Sequence, residues 1–460
     1  MKTLASNNFD ILITGSLGLL LCAILPAFNL IFSLCLLLIL MCLIAGKRGI
    51  IFIVIISYLT VSRRIGGDIR TELQYLNILL LFYLFIKEYG MDFNSYPKLP
   101  RIVVSLLLLL FISLLIATVF SNYTMLGIRE IIRTVIFFII IYFIYSLLKD
   151  NNDIRILLLS FFISGIFFSL SLLYAFYKND FFLLQKKLAT DFTDHNGWTA
   201  YIMIIFSIAF SFYLGLRRKK YKIIFPVLII IFLFSIFVTD SRGAILAFVV
   251  STLFLLYNIN KRVFKISLIL ILLIMSLLFL NPISQYIDLY FRFEKVSTGR
   301  DVIWSIIYKI IATHPLLGVG PAATRYYLFP NLTCMLGSPA GNLIAWHYRI
   351  IEFGHAHNFY LFFWSDLGLP GLITSIFLPF SFFKLGFKNL KRLKHYNEEY
   401  YYLTLGILAG GLGMFIRGIY EWSGLISYGT ISSDMPFWII FIILWYINCK
   451  KIKKEDKILI

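Results

Sequence analysis

Long apolar runs alternate with short polar breaks along most of this chain, and the runs have the length of a bilayer-crossing helix, about 17–25 residues. They fall at 10–27, 28–46, 73–88, 102–120, 130–148, 154–177, 197–216, 223–239, 242–257, 265–281, 357–383, 401–419 and 434–449, with a shorter one at 49–62. The pattern predicts an all-α polytopic membrane protein with about 12–14 transmembrane helices. One stretch breaks the alternation. From Pro282 to Gly354, about seventy residues are mixed in polarity, contain Pro, Gly and Asn, and place apolar residues at helical spacing over Asp301–Thr313. Long ordered loops are usually functional, so a small folded subdomain is expected between the late helices. The expected segmentation is 1–190 for N-terminal transmembrane helices, 191–282 for transmembrane helices bearing a Ser-Arg-Gly motif, 283–356 for the large loop, and 357–460 for C-terminal helices with a basic tail.

Composition agrees with this pattern. Of the 460 residues 60% are hydrophobic and 14% charged, with a mean hydropathy of +0.87, whereas a soluble domain carries about a quarter charged residues. The net charge of +19 raises the question of nucleic-acid binding, and the placement of the charge answers it. Most lysines and arginines fall in segments that face one side if the N-terminus is cytoplasmic: 46–49, 87–101, 149–155, 217–222, 258–265, 384–395 and the tail from Lys450. That is the positive-inside pattern, with both termini cytoplasmic, anionic membrane lipids as partners and no nucleic acid required. The five cysteines lie mostly in apolar runs and read as small buried hydrophobes, not a disulfide framework. No small-residue cleavage site follows the first apolar run, so that helix is expected to stay.

The same parity puts most of the interesting chemistry on the outward side. His195, His314, His347, His355 and His357 fall in outward segments or at an outward helix end, and histidine is a natural general base near neutral pH. The densest cluster is Gly354-His355-Ala356-His357-Asn358, just ahead of an apolar helix. A His-x-His pair can hold a metal, but no carboxylate or cysteine stands at a spacing that completes a tetrahedral set, so neither metal nor cofactor is expected. A helix-capping role at the interface is the plainer reading of this cluster. Arginines are also placed outward, against the orientation rule: Arg242 in Thr239-Asp240-Ser241-Arg242-Gly243, Arg300 in Gly299-Arg300-Asp301, and Arg63, Arg64 and Arg70 in an earlier turn. Such residues are costly near lipid unless paired, and their planar forks match phosphate oxygens. Ion pairing with Asp240 or Asp301, or snorkelling to the interface, is the plain alternative. Arginines beside a histidine at the membrane boundary suit a lipid-linked diphosphate donor, with guanidinium charge stabilising the leaving group.

Four motifs in order strengthen that reading. Ser241-Arg242-Gly243-Ala244, then Gly299-Arg300-Asp301-x-x-Trp304, then His314-Pro315-Leu316-Leu317-Gly318-Val319-Gly320, then His357-Asn358 with Gly368-Leu369-Pro370-Gly371 resemble the O-antigen ligase and O-antigen polymerase superfamily of bacterial membrane glycosyltransferases. Asp194-His195-Asn196-Gly197-Trp198 is similar to that family's Asn-bearing turn. The resemblance covers about residues 190 to 375. It implies a GT-C-like, metal-independent, inverting transferase with its active site on the periplasmic face of the bacterial inner membrane. The donor would be an undecaprenyl-diphosphate-linked glycan. The acceptor would be a lipid A core hydroxyl for a ligase, or a second lipid-linked glycan for a polymerase. His357 takes the catalytic-base position and Arg242 and Arg300 the diphosphate-binding positions, with His355, Asn358, His314, Asp194, Asn196, Arg63 and Arg64 as supporting candidates. The reading slightly favours the ligase. A rival of another class is a lipid-linked oligosaccharide flippase, but transporters place charges mid-span and often repeat internally, and neither feature is visible here.

Overall fold

The computed structural model describes residues 46–61, 68–90, 92–178, 195–216, 221–239, 241–277, 300–333, 355–429, 431–450 and 452–458. Among these residues the chain is helical and contains no strand. The helices are α1 (Lys47–Ile56, running into a wider turn at Ser57–Val61), α2 (Asp68–Tyr89), α3 (Arg101–Val119), α4 (Thr124–Leu147), α5 (Asn151–Lys178), α6 (His195–Gly215), α7 (Tyr221–Val238), α8 (Arg242–Ile259), α9 (Lys261–Leu277), α10 (Arg300–Thr313), α11 (Thr324–Thr333), α12 (Phe359–Leu393), α13 (Glu398–Arg417) and α14 (Ile431–Cys449). Seven of the described helices are long and apolar enough to cross a membrane. This is a multi-pass, all-α membrane protein, as the hydropathy pattern predicts. The run expected at 357–383 is longer than its hydropathy suggested and continues to Leu393. The expected run at 10–27, and all of the run at 28–46 except Gly46, lie outside the described residues.

Packing follows from which helices are apolar all round. α14 is apolar on every face and sits at the centre, burying Trp438 and Trp445. α13 beside it depends on small residues, because helices in lipid associate through close backbone approach. A Cβ at Gly406 would stand 2.7 Å from the Ile208 Cα, and one at Gly410 would stand 3.2 Å from the Ile204 Cα, so α13 lies almost backbone to backbone on α6.

The basic loops converge at one end of the bundle. Lys47 Nζ lies 3.1 Å from Asp153 Oδ2 and Arg48 Nη2 lies 2.7 Å from Asp150 Oδ2. The Asn397 amide donates to the Lys453 and Asp456 carbonyls, and the Ile458 amide donates to Glu399 at 2.8 Å. Three segments of the inward set, 46–49, 149–155 and the C-terminal tail, thus share one end.

The opposite end is organised by a break in α12. Gly368 has φ 66° and ψ −155°, which is not helical, and the carbonyls released by the break need new partners. The 316–320 turn supplies them: Val319 N donates to Ser365 O at 3.0 Å and Gly320 N to Asp366 O at 2.9 Å, while Leu369 N returns a bond to Leu316 O at 3.1 Å. A Cβ at Gly368 would fall 2.2 Å from Leu316 O, and one at Gly318 would fall 2.4 Å from Asp366 O. The Asp366 carboxylate, fully buried, accepts from Ala322 N, Thr324 N, the Thr324 hydroxyl and the Tyr428 hydroxyl. The glycine motif inside the large loop and the glycine at the α12 break therefore lock that loop to α12. Gly368→Ala meets both a left-handed backbone and a backbone clash and is expected to lower stability by about 1–3 kcal/mol. Thermal melting in detergent checks this against Gly46→Ala, where a Cβ meets nothing within 4 Å.

Candidate active site

Three segments distant in sequence meet beyond the α12 break. The first is the start of α10. Its apolar face, Ile303, Ile306, Ile307, Ile310 and Ile311, is buried at the helical period. That leaves Arg300 at the helix start and Trp304 one turn on. Trp304 Nε1 donates to Ala356 O at 2.9 Å, which ties α10 to the histidine segment.

The second segment is 355–358. Asn358 caps α12: its Oδ1 accepts from Tyr360 N at 2.9 Å and Leu361 N at 3.0 Å. The preceding residue, His357, has φ 45°, a left-handed conformation uncommon outside glycine and asparagine. Phe359 N donates to Gly418 O at 2.7 Å, fixing this turn against the end of α13. The capping expected from sequence falls to Asn358, and that capped turn presents His357.

The third segment is the turn from Gly418 to Gly429, between α13 and α14, which sequence reading passed over. It contributes Glu421. Arg300 Nη2 donates to Glu421 Oε1 at 3.0 Å, and the other oxygen, Oε2, lies 3.7 Å from His357 Nδ1. All three side chains are largely buried, with 22%, 12% and 16% exposure for Arg300, Glu421 and His357. The turn itself is held by Arg417, whose Nη1 donates to Ser423 O at 2.8 Å, and by Asp434, which accepts from Gly424 N, Ser427 N and the Ser427 hydroxyl. Burial pushes the Glu421 carboxyl up, but the neighbouring His357, Arg417 and Arg300 outweigh it and lower the group to about 2. Glu421 is then an anion at physiological pH, and it faces the Nδ1 edge of the His357 ring across 3.7 Å, with Nε2 on the other edge.

The sign of that shift carries a pH prediction. A carboxyl lowered from 4.5 to about 2 on folding stabilises the fold fully above pH ~4.5, and the contribution is lost as pH falls toward ~2. Glu421→Gln is expected to melt below the wild type at pH 7, with the gap closing between those two values. Melting curves across that range check it.

Other expected residues divide. Arg242 opens α8, and a Cβ on Gly243 would lie 3.3 Å from Tyr420 Cβ, so the Ser-Arg-Gly turn packs on the residue preceding Glu421. Both Arg242 and Arg300 stand at a helix N-terminus, where the backbone dipole favours anions and disfavours cations. His355 stacks edge-on against Trp422, centroids 4.0 Å apart, and lies 4.9 Å from the His357 ring. His314 sits on the far side of the α10 end, with Nδ1 2.9 Å from the Thr313 hydroxyl and its ring 5.6 Å from that of Tyr327. Asn196 is in the first turn of α6, without a described side chain, while Arg63, Arg64 and Asp194 lie outside the described residues. Among the described residues no group of three His, Cys, Asp or Glu side chains could hold a metal ion. The sequence signal for Glu421 was Tyr420-Glu421-Trp422, a carboxylate between two aromatics in an outward turn.

A multi-pass helical membrane protein with arginines, a histidine and a carboxylate gathered at one end is the class that fold and site define. Residues 227–376, about a third of the chain, match the family model described as O-antigen ligase, Wzy_C, which supports membership of the O-antigen ligase and polymerase superfamily. No curated protein matches the chain. The matched stretch contains Arg242, Arg300, His314, His355, His357, Asn358 and the Gly368 break, while Glu421 lies beyond it.

Proposed function

We propose that this protein is an O-antigen ligase-type glycosyltransferase, moving a polysaccharide from undecaprenyl diphosphate to a sugar hydroxyl of lipid A core on the periplasmic face of the bacterial inner membrane. The observation that carries the reading is the convergence of Arg300, His357 and Glu421 beside the Arg242 turn. His357 Nε2 takes the proton of the acceptor hydroxyl as its oxygen bonds to the anomeric carbon with inversion. The bond from that carbon to the diphosphate oxygen breaks, and the diphosphate leaves with the electron pair. Arg242 and Arg300 take up its charge, the role that a divalent cation plays elsewhere. Glu421 positions His357 and balances the imidazolium that forms, as a carboxylate does in a catalytic triad. Both termini would be cytoplasmic, a reading supported by the basic loops meeting at the end opposite the site.

A polymerase would use the same residues and a second lipid-linked repeat as acceptor. Lipopolysaccharide from a deletion strain separates the two. Complete loss of long chains with accumulating lipid-linked polymer is the expected ligase result, and a single added repeat is the polymerase result. Purified protein consuming the donor in vesicles also separates either enzyme from a flippase, which moves the donor intact.

A further inference from the structure

The large loop carries aromatic side chains that the proposed chemistry does not use. On α10, residues at four-residue spacing form one ridge, and that ridge begins at the site. Arg300 and Trp304 are half-buried, whereas Tyr308 and Ala312, further along the same ridge, are exposed. From Arg300 to Ala312 it runs about 18 Å at 1.5 Å per residue. The ridge therefore leads from the buried charges onto an open helix face, where Asp301, Ser305 and Lys309 are exposed beside it.

A second observation lies where the ridge ends. Thr313 Oγ1 lies 2.9 Å from His314 Nδ1, and the His314 ring stands 5.6 Å from that of Tyr327. Tyr327 is edge-on to Tyr123, centroids 6.3 Å apart, and Tyr123 stacks on Tyr326 at 4.4 Å. Tyr123 and Tyr326 are both exposed. Polar groups edge these rings: Asn122 Nδ2 donates to the Tyr327 hydroxyl at 3.3 Å, and Arg325 Nη2 donates to the Tyr326 hydroxyl at 3.1 Å. The cluster stands on a fixed base, because Ser121 Oγ donates to Val319 O at 2.7 Å and ties the α3–α4 turn to the 316–320 turn.

A single tyrosine at a membrane boundary belongs to the aromatic belt of membrane proteins. Here the rings are grouped, and their edges carry donors and acceptors. A pyranose ring has the matching surface, an apolar C–H face with hydroxyls around its edge. We propose that the α10 ridge and the Tyr123, Tyr326 and Tyr327 cluster form an extended glycan track, which holds saccharide units several rings away from the reacting carbon. The inference rests on the transferase reading and adds to it that affinity rises with the length of the sugar chain. Donor and acceptor both carry such a chain, and the track recognises the chemistry they share.

Calorimetry of the full chain in neutral detergent tests the track without turnover. The probes are polysaccharide released by mild acid from the host's lipid-linked donor, in fractions of one repeat and of several repeats. The longer fraction is expected to bind about tenfold tighter. Tyr123→Ala with Tyr326→Ala is expected to erase that advantage, and Tyr308→Ala, which leaves the tyrosine cluster intact, to reduce it. Equal affinity of wild type for the two fractions, or an advantage that survives the double variant, would overturn the track. Lengthening the donor glycan against a fixed acceptor, and then the acceptor glycan against a fixed donor, shows which chain lies there. The double variant is expected to raise KM about tenfold for that long substrate, because contacts far from the reacting carbon are made equally in ground and transition states. A rise for neither substrate also overturns the track. Wild-type protein that binds the longer fraction more tightly yet consumes no donor supports the track and removes the transferase reading instead.

Discussion

His357→Ala is expected to cut glycan transfer by ~10²–10⁴, the range that a positioned general base contributes, while the protein still inserts and folds. The ring is held at the site by the turn ahead of Asn358, and its neighbours are Glu421 and His355. Removing it deletes no buried apolar core. Because His357 occupies φ 45°, His357→Asn is the companion variant, since asparagine tolerates that backbone and lacks the imidazole. Both should fail in an assay of donor consumption by purified protein. Transfer at the wild-type rate by either would remove His357 from the reaction.

Arg300 carries the second large effect. Loss of one preorganised donor to a developing negative charge costs ~10²–10³ in kcat, and Arg300→Met is expected to show that loss. The ion pair with Glu421 offers a competing explanation, in which Arg300 only keeps a buried carboxylate neutralised. A double-mutant cycle separates them. If the arginine served only Glu421, Arg300→Met with Glu421→Gln would transfer as well as Glu421→Gln alone. If it holds the leaving diphosphate, the double variant stays as slow as Arg300→Met or slower. KM and kcat are to be read separately, because a contact made in the transition state lowers kcat without a matching rise in KM.

The two variants bear on residues of unequal visibility. Arg300 and His357 stand out in sequence because a charge near lipid and a histidine at a helix start are each unusual where they fall. Glu421 does not stand out: a lone carboxylate in a turn between two spans looks solvated, and only packing shows it buried between an arginine and a histidine. The glycine motifs reverse the comparison. Gly318, Gly320 and Gly368 were visible as part of a family-like pattern, yet their physical role, backbone contact across the α12 break, could be read only from the fold. Pairing of Arg300 with Asp301 was the local expectation. The observed partner is Glu421, because helix α10 turns its first residue toward the α13–α14 turn.

Hydropathy alone determined that the chain crosses the membrane repeatedly as helices, since lipid leaves the backbone few other ways to satisfy its hydrogen bonds. Charge placement likewise marked out a basic end, and three of its segments meet in the fold. Periodicity and loop length located α10 and the region around the site. What only the tertiary structure decided is which charges face one another. Arg300, His357 and Glu421 come from segments separated by up to 121 positions, and their meeting depends on the kinked α12, the capped turn at Asn358 and the turn braced by Arg417 and Asp434. Ion pairing depends on distances of a few ångströms, and a linear pattern of polar and apolar residues carries no such distances.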